Sequence, residues 1–156
     1  MESVLATEIE RKFLVNGEGW RKQVERQLHI TDHLIASFAT GKARIRLCND
    51  TATLTLKGNR QGITRSEYHV SIPLPDAEAM VAEFATMPPL RKVRNEVRFG
   101  GLVWQVDEYM GRHAGLLTAD VELPAADYPL IMPEWAGSDI TGDQRYSSRT
   151  LAATED

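Results

Sequence analysis

A single cysteine, Cys48, stands among the 156 residues. One thiol forms no internal disulfide and builds no thiolate metal cluster, which points to a reducing, cytoplasmic setting. No stretch of about 18 consecutive apolar residues occurs, so no transmembrane helix and no membrane partner is expected. The opening segment MESVLATEIERKF turns charged too early for a secretory signal. No G-x-x-x-x-G-K-[ST] loop is present, which excludes a P-loop enzyme. Ser147 and Ser148 lack a nucleophile-elbow context, and His29, His33, His69 and His113 fall at no zinc-binding spacing. A formal net charge of -4 argues against nucleic acid as the main partner.

What is present is ordinary in amount and unusual in arrangement. Hydrophobic residues make up 42% and charged residues 26%, as expected of one soluble globular domain spanning residues 1–156. The dominant pattern has a period of two, the signature of half-buried strands. In RKVRNEVRF-GG-LVWQVDEY, Gly100 and Gly101 suit a two-residue hairpin turn with positive φ. Pairing outward from that turn sets Val97 against Trp104 and Asn95 against Val106 on one face. The other face then pairs Glu96 with Gln105, Arg94 with Asp107 and Lys92 with Tyr109. In KARIRLC-ND-TATLTLK a turn at Asn49-Asp50 pairs Ile45 with Leu54 and Leu47 with Ala52 on one face. Arg46 with Thr53, Arg44 with Thr55, and Lys42 with Lys57 occupy the other. Two facing lysines repel unless an anion lies between them.

Further strands are expected at Leu5–Val15, Leu28–Phe38, Thr64–Ile72 and Leu116–Leu123, about eight in all, enough to close a small antiparallel barrel. Helices are expected after Pro75, with Asp76 as N-cap and Met80, Val81 and Phe84 as apolar stripe, at Gly19–Gln27, and at Ser147–Ala153. Pro129–Gly137 reads as an irregular loop whose Trp135 packs on the barrel. The fold class is therefore α+β, mainly β: an eight-stranded closed barrel with a few outer helices.

The charged faces decide the functional reading. Acids are concentrated on the first and last strands and bases on the middle ones, with little dilution by Ser, Gln or Asn. A solvated outer surface does not need that segregation; a polar tunnel does. Glu8, Glu10, Glu67, Asp107, Asp120 and Glu122 share the inner face, and all-oxygen carboxylate sites suit Mg²⁺ or Mn²⁺. Lys12, Arg44, Arg46, Lys57, Arg65, Lys92 and Arg94 face them, and arginine forks match phosphate oxygens bidentately. Acids and bases together describe a metal–polyphosphate site.

The ordered set of motifs resembles the CYTH superfamily, the triphosphate tunnel metalloenzymes. It begins with E-x-E-x-K at Glu8, Glu10 and Lys12, R-x-R at Arg44 and Arg46, T-L-K ending at Lys57, and R-x-E at Arg65 and Glu67. K-x-R at Lys92 and Arg94, the acid Asp107, D-x-E at Asp120 and Glu122, and T-x-x-x-RY at Thr141–Tyr146 complete it. The resemblance implies hydrolysis of tripolyphosphate or nucleoside triphosphates with Mg²⁺ or Mn²⁺. It implies that Glu8, Glu10, Asp107, Asp120 and Glu122 hold or surround the metals, and that the basic residues grip the phosphates. Glu67 would position a second metal or the attacking water, and Lys12 would assist the leaving group. His69 stands where many relatives carry a second glutamate, and QLHI around His29 and Ser148 also depart from the pattern. The substrate is expected to be a small molecule and the protein a monomer or homodimer. Adenylate cyclisation, thiamine triphosphate hydrolysis and a non-catalytic polyphosphate-binding module are the alternatives.

Overall fold

Two tight turns fix the register of half the sheet. In the computed structural model, which describes residues 7–153, Asn49 takes φ 55 and Gly100 and Gly101 take φ 61 and 83. Around them the strands β3 (Gly41–Cys48) and β4 (Thr51–Gly58), and β6 (Leu90–Phe99) and β7 (Leu102–Tyr109), pair in the register read from the sequence. Ile45 faces Leu54, Lys42 faces Lys57, and Arg94 faces Asp107.

The remaining strands are β1 (Thr7–Val15), β2 (Val24–Phe38), β5 (Thr64–Ile72), β8 (Leu117–Glu122) and a short β9 (Ala136–Asp139). Adjacent strands run antiparallel in the order β5-β4-β3-β2-β6-β7-β8-β1. Closure is achieved by β1, which pairs with β5 through Thr7–Ile9 and with β8 through Glu10–Leu14. The result is a closed eight-stranded antiparallel barrel. β9 is an extra strand that joins β1 at Phe13 and Val15, along the edge that β5 leaves free. Of the first expected strand, Leu5 and Ala6 lie outside the described residues.

The apolar faces point mainly outward and are covered over much of the barrel, although Leu56, Tyr68 and Val70 stay exposed. Phe13, Val97, Trp104, Val106, Ala119 and Val121 form one buried cluster, roofed by Trp20 and Trp135. Trp135 meets Trp104 edge-on, 5.4 Å between centroids, a favoured aromatic geometry. On the opposite wall α1 (Leu74–Phe84) covers Ile45 and Ala52 through Ala77, Met80 and Val81. A third cluster joins Leu151 and Ala152 of α2 (Ser148–Ala153) to Leu90 and Tyr109 at one barrel end. With two of the three clusters outside the wall and the third at its end, much of the interior is left to the charges.

Several expectations need correction. Gly19–Gln27 is not a helix: Arg21–Gln23 make one 3₁₀ turn, and β2 begins at Val24 rather than Leu28. The strand wins because Val24 pairs with Val97, while Arg26 and Glu25 find Glu96 and Arg98 across the ladder. The 129–137 loop holds Trp135 as expected but ends in β9. α1 starts at Leu74, with Pro73 rather than Asp76 at its N-cap. Phe84 is exposed, and Ala77 is the fully buried residue of that helix.

Candidate active site in the barrel interior

Strand alternation sends every second side chain of the eight strands inward, and these residues line a cavity of about 820 Å³. Of the residues expected there, Glu8, Glu10, Lys12, Arg44, Arg46, Lys57, Arg65, Glu67, Lys92, Arg94, Asp120 and Glu122 all line it. Asp107 lies behind them, fully buried.

The basic wall is held in place by two buried aspartates. Asp107 on β7 accepts hydrogen bonds from Arg94 Nε at 2.8 Å and Nη2 at 2.9 Å, and its Oδ2 lies 3.0 Å from Lys92 Nζ. Asp32 on β2 accepts from Arg46 Nε at 2.8 Å and Nη2 at 2.9 Å, with Arg44 Nη1 at 3.7 Å. Burial alone would raise both carboxyls, but the facing cations hold Asp32 and Asp107 well below the usual carboxylate range. Both oxygens of Asp107 are thus committed to cations of the wall, so it surrounds the acidic cluster instead of lying open to it.

The acids of β1, β5 and β8 form the opposite wall. Glu10 pairs in register with Glu122 and Lys12 with Asp120. Burial, together with hydrogen bonds to the carboxyls of Glu67 and Glu122, pushes Glu8 up to about 10. Burial also works to raise Glu67, but the hydrogen bond from Glu8 and the charges of Lys57 and Arg44 prevail and hold it at about 2. A proton on Glu8 therefore does the work of a cation among three crowded carboxyls. Burial opposes the charge on Lys12, yet Asp120, Tyr109 and Glu10 more than offset it and raise the ammonium above its ordinary range. Lys57, desolvated beside Arg44, is held well below its ordinary value.

The donor set fits a divalent cation. Glu8, Glu67 and His69 bring ligand atoms within 4.8 Å of one another. Asp120 Oδ1 is buried without a hydrogen-bond partner, its closest cation being Lys12 Nζ at 3.7 Å. Hard carboxylate oxygens in this number suit Mg²⁺ or Mn²⁺. His69, where the pattern departs, bonds Thr55 Oγ1 through Nδ1 at 3.0 Å and lies 3.2 Å from Glu67 Oε1 through Nε2.

Three contributors escaped the sequence patterns. Asp32 sits on a weakly marked strand whose other inward residues, Ile30 and Leu34, are apolar, so it carried no visible charge motif. Lys42 donates to Ser148 Oγ of α2 at 2.8 Å, and burial beside Arg65 and Arg44 lowers it to about 8. The pairing of Lys42 with Lys57 was the available signal. Arg60 enters from the β4–β5 connection, where no strand period reveals a face. Thr141 of the T-x-x-x-RY motif serves the scaffold: its Oγ1 accepts from the Lys12 backbone N–H at 2.8 Å. Tyr146 of the same motif lines the cavity.

A family model describing the CYTH domain matches residues 6–147, which spans the whole barrel. The chain belongs to the CYTH domain family. Among relatives of this CYTH chain, an inorganic triphosphatase of Acetivibrio thermocellus is 34% identical over 148 residues, covering 94% of each chain. An inorganic triphosphatase of Nitrosomonas europaea is 28% identical over 159 residues, covering 94% of this chain and 97% of that one. A crystal structure of an inorganic triphosphatase superposes with TM-score 0.68 at 25% identity, covering 95% of each chain.

Proposed function

We propose that this CYTH protein hydrolyses triphosphates, inorganic tripolyphosphate foremost, with Mg²⁺ or Mn²⁺. One observation carries the reading. In the same cavity Arg44 Nε, Arg60 Nη1 and Arg65 Nε are buried donors without a partner in the protein, and Asp120 Oδ1 is a buried acceptor without one. Unsatisfied buried polar groups are costly. The side chains that carry them line one cavity, cations and carboxylates together, and a metal–triphosphate complex supplies a counter-charge to both at once.

The roles follow from position. Arg44, Arg46, Lys57, Arg65, Lys92 and Arg94 bind the phosphates, with Arg46 held in pose by Asp32 and Arg94 by Asp107. Glu8, Glu10, Asp120 and Glu122 would hold the metal, with Glu67 alongside. A bound divalent cation neutralises phosphate charge and makes water a better nucleophile. Glu67 orients the water that attacks the terminal phosphorus, and the proton of that water passes to solvent or to the phosphate formed. The bond from that phosphorus to the bridging oxygen breaks, and pyrophosphate leaves. Lys12 retains its proton and stabilises the charge that develops on the departing oxygen. Asp107 locks the wall in its productive pose.

Phosphate release from tripolyphosphate, ATP and thiamine triphosphate, with Mg²⁺ or Mn²⁺ and with EDTA, tests the proposal. Chelator-sensitive release, fastest on tripolyphosphate, supports it. Pyrophosphate and cyclic AMP from ATP without orthophosphate would establish cyclisation instead, and tight binding without turnover would establish a binding module. Of location, the structure says only that no helix among the described residues is long and apolar enough to cross a membrane.

A further inference from the structure

The connection between β4 and β5 carries Arg60, whose side chain turns inward to line the cavity and is 19% exposed. Its Nη2 lies 3.5 Å from Glu10 Oε1, and its Nη1 is buried with no partner. The backbone is fixed on both sides of it. Asn59 Nδ2 donates to Ala39 O at 2.8 Å, and Gln61 and Thr64 exchange backbone hydrogen bonds of 2.7 and 3.1 Å. The Glu10 N–H also donates to Ile63 O at 2.9 Å, tying the loop to β1. Any movement of the guanidinium is therefore rotation of the side chain alone.

A divalent cation held by Glu10 would compete with Arg60 for the same carboxylate. A carboxylate oxygen engaged by Mg²⁺ or Mn²⁺ at about 2.0–2.2 Å has less charge to offer a guanidinium. A divalent ion beside Glu10 also repels Arg60 directly. Arg65 lies close enough to add its own repulsion, being lowered by burial first and by Arg60 next. The 3.5 Å contact is long for a charge-assisted hydrogen bond, so Arg60 is loosely held, and its Nη1 has no hydrogen-bond partner to give up. We infer that Arg60 is a displaceable stand-in cation on Glu10, which leaves that carboxylate for a phosphate oxygen of the polyphosphate when metal and substrate load. The inference rests on the reading of Glu10 as a metal ligand.

The exchange makes removal of Arg60 act in opposite directions on the two ligands. A purely structural arginine would shift thermal stability and neither affinity. A pure phosphate contact would weaken substrate binding and leave the metal untouched. Competition for Glu10 tightens the metal and weakens the polyanion together.

The experiment uses the full chain as wild type, Arg60→Ala and Arg60→Lys. Mn²⁺ is titrated into substrate-free protein and followed by the electron paramagnetic signal of unbound Mn²⁺. Tripolyphosphate binding is measured separately by calorimetry in saturating Mn²⁺ with its non-hydrolysable imido analogue, so that no readout depends on turnover. Arg60→Ala is expected to bind Mn²⁺ roughly two- to fivefold more tightly. It is expected to bind tripolyphosphate about tenfold more weakly. Arg60→Lys, which keeps the charge, falls between the two on both measurements. Mn²⁺ affinity in Arg60→Ala equal to or weaker than wild type, or unchanged tripolyphosphate affinity, overturns the exchange while leaving the metal site standing. No Mn²⁺ binding by wild type overturns the Glu10 reading and the exchange with it.

Discussion

Asp107→Asn is the substitution whose cost the structure defines most sharply. Asp107 is fully buried and satisfies Arg94 through two hydrogen bonds of 2.8 and 2.9 Å and Lys92 through a third contact at 3.0 Å. An asparagine of nearly the same shape removes the charge, offers one oxygen where two were used, and points an amide donor at a cation. Two positive groups then remain buried with their shared anion gone. Breaking a buried pair by removing one partner costs about 3–5 kcal/mol. In a domain of this size each kcal/mol moves the unfolding midpoint by roughly 2–4 °C, so a drop of about 10 °C is expected. Differential scanning calorimetry at pH 7 measures it. Asp120 Oδ2 lies 3.6 Å from Arg94 Nη2, and with Asp32 it can take up part of the load. Removing Arg94 as well, as Arg94→Met with Asp107→Leu, should recover part of the loss, because Lys92 is then the one cation of the pair still without its anion. A midpoint within about 2 °C of wild type in Asp107→Asn would refute the view that this aspartate holds the basic wall together.

Other outcomes follow from the same geometry. Arg46→Ala should raise the KM for tripolyphosphate about tenfold or more with a smaller effect on kcat, as expected on losing a charge-assisted phosphate contact; steady-state kinetics check it, and an unchanged KM would place Arg46 outside the site. Asp32, held well below its ordinary range by Arg44 and Arg46 against the opposing effect of burial, contributes stability that is present above the unfolded carboxyl value near 3.8 and is lost as pH falls through the lower folded one. The gap in unfolding midpoint between wild type and Asp32→Asn should therefore be widest near neutrality and close below pH 4 (about the unfolded value), in a thermal series over pH. Gly41 has φ 153 and a Cβ there would sit 2.0 Å from Lys57 O, so Gly41→Ala should destabilise by about 2–4 kcal/mol, read by urea unfolding.

The barrel was legible because its information is local. Gly100-Gly101 and Asn49-Asp50 mark turns, and alternation then assigns each side chain to a face without knowledge of the rest of the chain. The direction of the charged faces was legible only by contrast: acids on β1 and β8, bases on β3 and β6, too segregated for a solvated surface. What failed depends on long-range pairing. Gly19–Gln27 has enough polar and apolar spacing to suggest a helix, and only Val97, Glu96 and Arg98 on a distant strand make it the start of β2. β9 is four residues long and exists because β1 has an edge that β5 does not cover. Asp32 and Arg60 were invisible for related reasons. One is a lone acid on an apolar strand face, and the other sits in a loop, so neither repeats with any period.

The central claim, that metal and triphosphate meet in this tunnel and react, is tested most directly by following tripolyphosphate with ³¹P nuclear magnetic resonance, continuously in Mg²⁺ and in EDTA-quenched samples for Mn²⁺, using wild type and a folded Glu10→Ala variant. Wild type should convert it to orthophosphate and pyrophosphate in equal amounts, stop when EDTA is added, and be inactive as Glu10→Ala. Persistence of the tripolyphosphate signals with wild type in either metal, or hydrolysis that survives both EDTA and Glu10→Ala, would contradict the account.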